Sequence, residues 1–451
     1  MNTPTRRAFL QGSSLTVLFS FAALRAADAQ APAAPTLPGS LNRNRQLDAW
    51  LRIHPDGTVT MFTGKVELGQ GILTALTQIV ADELDVDPKR LEVVSGDTSR
   101  TPDEGVTSGS LSIQDSGTAL RMACAEARSL LLQAAAAKLG VAVADVRVQD
   151  GVVSTARGSA RTSYWEVAGE ASLHREATAK VAPKPASQHR LIGQSVHRRD
   201  IPAKVTGGAA YVHDIRLPGM VHARVIRSNM PRARLAAVDA ASVSAMPGVL
   251  AVVRDGNFLG VVAKREEQAI AAWRALRENA RWEATGELPP SGAALFDYMK
   301  TARSSETVVN TKTNPAPAAA ATTLSAQYTR PYQAHASIGP SCAVAQWEQD
   351  KLRVWCHSQG VFPLRADMAK VLRTAPANIT IVHGEGSGCY GHNGADDVAM
   401  DAALIARALP GVPVRLQWMR EDEFGFEPLG SPMVIQMRAS LDAAGKVVDW
   451  N

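Results

Sequence analysis

Apolar residues first fall into a regular pattern at Trp50, Leu51 and Ile53, and again at Val59, Met61 and Phe62. His54-Pro55-Asp56-Gly57 separates the two runs, and turn residues between alternating apolar positions predict a β-hairpin. The period then changes. Leu73, Leu76, Ile79, Val80 and Leu84 recur at helical spacing, so residues 72–84 are predicted to be a helix. Residues 119–139 read the same way, and residues 91–94 between them read as a strand. Strand-like runs follow at 215–226, 248–253 and 260–263, with a helix expected at 268–280. A polar, Ala/Pro-rich connector covers 304–323. Beyond it, strands are predicted near 343–347, 352–356 and 379–382, and helices at 363–372 and 396–408. Interleaved periods of both kinds define a mixed α/β (α+β) fold class. The last residues, Val447 to Asn451, read as strand, so the expectation is of a final domain that continues past them.

The first residues read as an address. Arg6-Arg7-Ala8-Phe9-Leu10 precedes an apolar run from Leu15 to Leu24 and the small-residue pattern Ala27-Asp28-Ala29. The run is shorter than the roughly 20 residues needed to span a bilayer, and the order of parts is that of a cleaved signal. Paired arginines before Phe-Leu are similar to a twin-arginine signal, which predicts export to the periplasm over residues 1–29. An ordinary secretory signal or a monotopic anchor is the alternative. No other stretch approaches 18 consecutive apolar residues, so no integral membrane span is expected.

Charge and cysteine content exclude several classes. The formal net charge of +5 includes +2 from Arg6, Arg7, Arg25 and Asp28, and the +3 left elsewhere forms no basic run. Nucleic acid is therefore not an expected partner, because phosphate neutralisation needs a concentrated basic patch. Cys124, Cys342, Cys356 and Cys389 are widely spaced, so cysteine alone builds no zinc ribbon, c-type haem site or iron–sulfur cage. A disulfide after export stays open.

Three glycine-rich segments carry the candidate chemistry. Gly64-Lys65-Val66-Glu67-Leu68-Gly69-Gln70-Gly71 lies between a predicted strand and a predicted helix. Glycines there permit close backbone approach, and N–H groups at a helix start suit an anion. A tight strand-to-helix turn explains the same glycines, and no G-x-G-x-x-G fingerprint is present. Gly105-Val106-Thr107-Ser108-Gly109-Ser110-Leu111-Ser112 offers hydroxyls and N–H groups before a helix, as a phosphate cradle or as a capped solvated loop. Gly384-Glu385-Gly386-Ser387-Gly388-Cys389-Tyr390-Gly391-His392-Asn393-Gly394 reads as a loop that a ligand meets at backbone level.

Taken together with His357-Ser358-Gln359, these segments resemble the large subunits of molybdenum hydroxylases of the xanthine dehydrogenase family. Their order is most similar to the isoquinoline 1-oxidoreductase and nicotinate dehydrogenase-like branch. Residues 200–207 and 246–249 are similar to its hammerhead domain. The resemblance implies a large-subunit architecture in which a hammerhead domain accompanies partial molybdopterin-binding domains. Its expected boundaries are a linker at 30–46, a first molybdopterin-binding segment at 47–190 and the hammerhead at 191–290. A connector at 291–325 and a partial molybdopterin-binding domain at 326–451 complete it.

The resemblance further implies molybdopterin with molybdenum, in the cytosine dinucleotide form, held through the pterin's sulfurs. Gln359 matches a glutamine that hydrogen-bonds an oxygen on molybdenum, and Tyr390-Gly391 match an aromatic–glycine pair approaching the metal. Gly69, Gln70 and Gly71 match a pterin-contacting turn. Thr107, Ser110 and Ser112 match hydroxyls along the phosphate-bearing arm, and Gly388 belongs to the cofactor loop. Implied partners are a small [2Fe-2S] subunit, a cytochrome c acceptor and a small-molecule substrate, an aldehyde or an N-heteroaromatic hydroxylated with water-derived oxygen.

The family's catalytic glutamate has no counterpart in these residues, so a truncated, inactive cofactor-binding fragment is the alternative expectation. His392-Asn393-Gly394 replaces the Lys-Glu pair of xanthine-type relatives, and Ile338-Gly339-Pro340 stands near their Met-Glu-Pro. Neither Glu385, Asp396 nor Asp397 is nominated as a replacement base, since carboxylates at helix starts are usually caps. Two rival readings use other residues: a nucleophilic Cys389 with His392 and Asp396 or Asp397, and a zinc site of Cys356, His357, Cys389 and His392.

Overall fold

The Pro-Asp-Gly turn closes the first hairpin as its residue types require. Gly57 takes φ +92°, and Asp56 Oδ1 accepts the Thr58 N–H and hydroxyl at 2.9 and 2.7 Å. Leu51–Ile53 and Val59–Thr63 pair antiparallel, with Leu51 opposite Met61. This computed structural model describes residues 36–156, 158–228, 230, 232–307, 320–394 and 397–451. The expected signal at 1–29 lies outside them.

Val59–Thr63 is buried on both faces, and Leu91–Ser95 pairs in parallel with its other edge. Helices Ile72–Leu84 and Thr118–Leu139 form as the periodicity predicts, and their apolar faces share one core with Leu47, Trp50, Leu51 and Met61. Each large apolar side chain buried there contributes ~1.5–3 kcal/mol. A π-helical turn, Ile113–Gly117, leads into Thr118–Leu139, which periodicity did not reveal.

A seven-stranded sheet dominates the rest. Its order is Ile379–His383, Lys351–Cys356, Cys342–Glu348, Val414–Gln417, Val221–Val225, Phe258–Ala263 and Val249–Asp255. Strands from the 191–290 and 326–451 segments thus share one sheet, joined where Val414 lies opposite Val221 in a parallel pair. Helices Glu266–Asn279, Val361–Leu372 and Asp397–Arg407 pack against it. The strand expected over 215–226 forms only as Val221–Val225. Pro218 cannot donate to a ladder, and Gly219 at φ +70° turns the chain there.

The connector ends earlier than expected. Thr322–Arg330 is already strand and pairs along its whole length with Met433–Leu441, whose other edge takes Val447–Trp450. Residues 308–319 lie outside the described set. Among the described residues, no helix is long and apolar enough to cross a membrane.

Candidate functional site

The site sits where the first sheet meets the seven-stranded sheet. Thr98 N–H donates to Ile381 O at 3.0 Å, Ile381 N–H to Thr98 Oγ1 at 2.9 Å and His383 N–H to Gly96 O at 2.8 Å. Gly96 has no room for a side chain: a Cβ would stand 2.5 Å from Val66 Cγ1 and 2.8 Å from His383 Cβ. Close backbone approach here brings the three glycine-rich segments into contact.

Gln359 follows Lys351–Cys356 and is buried. Thr107 N–H donates to Gln359 O at 2.7 Å, and Gln359 Nε2 donates to Thr107 O at 2.9 Å. The Thr107 hydroxyl accepts the Val66 N–H at 3.0 Å, so one threonine ties the second segment to both the first and Gln359. Cys389 Sγ donates to Gln359 Oε1 at 3.1 Å, fixing the amide's orientation from its other end. Ser110, in the left-handed region at φ +58°, is exposed beyond Thr107, and Ser112 is partly exposed.

Glu67 organises the first loop. Its buried carboxylate accepts the N–H groups of Gly69, Gly71 and Leu73 at 3.0, 2.7 and 3.2 Å. The anion at this helix start is thus supplied by the protein itself. Gln70 folds back, with Nε2 donating to Val66 O at 3.0 Å. His383 bridges the loops, Nε2 lying 3.0 Å from Glu67 O and Nδ1 2.9 Å from Ser358 O. A chain of ions continues the tie. Arg198 pairs with Glu67 at 3.5 Å and Asp200 at 2.6 Å, while Lys204 pairs with both Asp200 and Glu385 at 2.6 Å. The Arg198 hydrogen bond, with Lys204 beside it, holds the Asp200 carboxyl far below its usual range, whereas burial raises Glu385. Glu385 is accordingly a partner of Lys204. Asp397 opens the helix Asp397–Arg407, and Asp396 lies outside the described residues.

In the third loop, Gly388 takes φ +133° and Gly391 φ +98°, flanking an exposed Tyr390 at φ +53°. Two buried polar atoms beside Gly388 have no hydrogen-bond partner in the structure, Ser337 Oγ and Asn393 Oδ1. A Cβ on Gly388 would stand 3.3 Å from the Ser337 Cα, and Asn393 Nδ2 lies 3.5 Å from Gly388 O. Orphaned buried atoms at a backbone-lined loop fit a polar ligand approaching there.

Among the described residues, the histidine common to the rival cysteine readings gathers with Glu423 and Glu427 and not with the cysteines. His392 Nδ1 faces Glu423 at 3.0 Å, and His357 Nε2 accepts from Cys342 N at 3.3 Å. None of the four cysteines is in a disulfide. Burial, with the His213 charge next, drives the His357 pKa down to about 3, so this ring is neutral at physiological pH.

Models described as molybdopterin cofactor-binding domains match residues 30–202 and 300–450, and the aldehyde oxidase and xanthine dehydrogenase a/b hammerhead domain matches residues 206–269. A nicotinate dehydrogenase subunit of Pseudomonas putida is 42% identical over 91% of this chain and 35% of its own length. The beta subunit of isoquinoline 1-oxidoreductase from Brevundimonas diminuta is 27% identical over 97% of this chain and 62% of its own length. Aldehyde oxidoreductase of Desulfovibrio gigas has TM-score 0.49 and 20% identity, over 63% of this chain and 36% of that one. The chain belongs to the xanthine dehydrogenase family of molybdopterin-binding subunits. It spans between about one third and three fifths of the length of these two curated relatives.

Sequence reasoning missed Glu67, His383 and the His392–Glu423–Glu427 cluster. Only the last left a local trace, since Glu423 and Glu427 stand four residues apart, one helical turn.

Proposed function

We propose that this chain holds a molybdopterin cofactor for a hydroxylase acting on an aldehyde or an N-heteroaromatic such as a pyridine carboxylate. The observation that carries the reading is the mutual clasp of Gln359, Thr107 and Cys389, which gathers three cofactor-type loops around one buried amide. Similarity to the Pseudomonas putida nicotinate dehydrogenase supports the N-heterocycle class. When bound, the cofactor supplies two-electron oxidation of a carbon centre with oxygen derived from water. The protein's own part is positioning. Gln359 presents an amide whose two ends are already fixed, Tyr390 and Gly391 offer exposed ring and backbone, and Gly388 with Ser337 and Asn393 receives a polar edge. Ser110 and Ser112 place hydroxyls where a phosphate-bearing arm, in the cytosine dinucleotide form, would be held. Electrons leave through a small [2Fe-2S] subunit to a cytochrome c. The paired arginines Arg6 and Arg7 support export by the twin-arginine route to the periplasm, which suits a cofactor inserted before export.

The test is molybdenum content and pterin fluorescence of the chain, produced with a [2Fe-2S] subunit in a host that makes the cofactor. Near-stoichiometric molybdenum, lost in Gly388→Val, supports the reading. Folded wild-type protein without molybdenum in such a host overturns it. Dye reduction with nicotinate and with aldehydes then separates the substrate classes.

A further inference from the structure

Glu423 and Glu427 point the same way from the short helix Arg420–Phe426 and the residue after it, and both carboxylates are fully withdrawn from water. His392, with only 3% of its side chain exposed, places Nδ1 3.0 Å from Glu423 Oε1 and 3.7 Å from Glu427 Oε2. One ligand atom from each of the three lies within 4.8 Å of the others. The 3.0 and 3.7 Å separations bracket the roughly 3.4 Å between ligand atoms sharing one tetrahedral ion with bonds of about 2.0–2.2 Å.

The charges make the same point. Two buried carboxylates need compensation, because an uncompensated buried charge costs several kcal/mol or more. Among the described residues no lysine or arginine comes within 4.0 Å of either carboxylate; the basic side chains within that range are the imidazoles of His335 and His392. Glu427 also accepts the backbone N–H groups of His335 and Ala336, and Glu423 accepts the N–H and the hydroxyl of Ser341. A single imidazolium would neutralise one carboxylate and leave the other. A second ring points into the cluster. His335 stacks on His392 at 5.9 Å, and its buried Nδ1, without a hydrogen-bond partner in the structure, lies 3.9 Å from Glu427 Oε2.

We propose that His392, Glu423 and Glu427 bind one first-row divalent cation, with His335 Nδ1 as the adjacent fourth donor. Imidazole and carboxylate donors without thiolate suit zinc first, with manganese and ferrous iron as competitors of lower affinity or harder preference. The ion would neutralise both carboxylates and pin the Tyr390–Gly391 backbone, one residue from His392, to Arg420–Phe426. Its role is structural and separate from molybdenum.

The experiment uses the whole chain made in a host lacking molybdopterin synthesis, so the result does not depend on the proposed activity. Metal content is measured after gel filtration in metal-free buffer, and stripped protein is titrated with Zn2+, Mn2+ and Co2+. A single retained zinc per chain is expected, with visible Co2+ bands of low-coordinate nitrogen–oxygen ligation. Glu427→Gln and His392→Gln should lose the bands and most of the metal, and chelator should lower the melting temperature of wild type but not of these variants. Should either variant fail to fold, the wild-type cobalt spectrum and chelator response decide. Folded wild type that retains none of the three cations overturns the proposal and leaves a hydrogen-bonded imidazolium between carboxylates. Bands unchanged in a folded variant overturn it equally.

Discussion

Thr107 and Gln359, 252 residues apart in the chain, hold each other by two reciprocal hydrogen bonds of 2.7 and 2.9 Å. The pair closes the seam between the two sheets at the point where the glycine-rich loops converge. Four consequences of this seam and its surroundings are open to measurement.

Thr107→Val keeps the shape of the side chain and removes the acceptor of the Val66 N–H. A buried N–H left unsatisfied costs ~1–3 kcal/mol, and Thr107→Ser, which keeps the oxygen, should recover most of it. Denaturant unfolding of both variants reads the difference. Equal stability of Val and Ser variants would show that the hydroxyl does not hold the first loop.

Gly388→Ala and Gly69→Ala both put a Cβ on left-handed backbone, but they differ in space. At Gly388 the Cβ meets Ile338 N at 3.1 Å and Tyr390 Cε2 at 3.2 Å, while at Gly69 nothing lies within 4 Å. The backbone strain costs about 1–3 kcal/mol at either position. Gly388→Ala should therefore lose more stability, and more bound cofactor, than Gly69→Ala. A reversed order would mean that crowding at the third loop is relieved without cost.

Burial, opposed by the Met419 N–H, pushes the Asp422 carboxyl up to about 6. Its unfolded value is about 3.9, so the folded state holds this proton more tightly. The associated stability is complete below pH ~4 and disappears as pH rises through 6, about 3 kcal/mol in all. Asp422→Asn should thus gain on wild type between pH 4 and 7.5 by a comparable amount. Parallel stability curves for the two proteins across that range would refute the assignment.

All four cysteines are buried thiols outside any disulfide, and burial raises Cys342 to about 11. Thiolate is the reactive form, so an aromatic disulfide reagent should label no cysteine quickly in native protein and all four after denaturation. Two thiols missing from the denatured count would reveal a disulfide that this structure does not contain.

The local elements were legible because each is written in a short window. The apolar spacing that predicted residues 72–84 is the period of the helix Ile72–Leu84, and Pro55-Asp56-Gly57 is the turn of the first hairpin. The glycine-rich loops were legible as loops for the same reason, and their order along the chain was enough to place the family. What lay beyond a window was not. Nothing in residues 221–225 announces that their parallel neighbour is 414–416, because a buried strand reads as apolar whatever pairs with it. Glu67 reads as an ordinary polar residue until the chain turns its carboxylate onto its own loop. His392 stands some thirty residues from Glu423, and only the packed fold removes both from water and so forces their charges to meet. Periodicity and turn chemistry, being local, were determined by sequence alone; strand partnership and the company of buried charges were decided by tertiary structure, since desolvation exists only once the chain has closed around them.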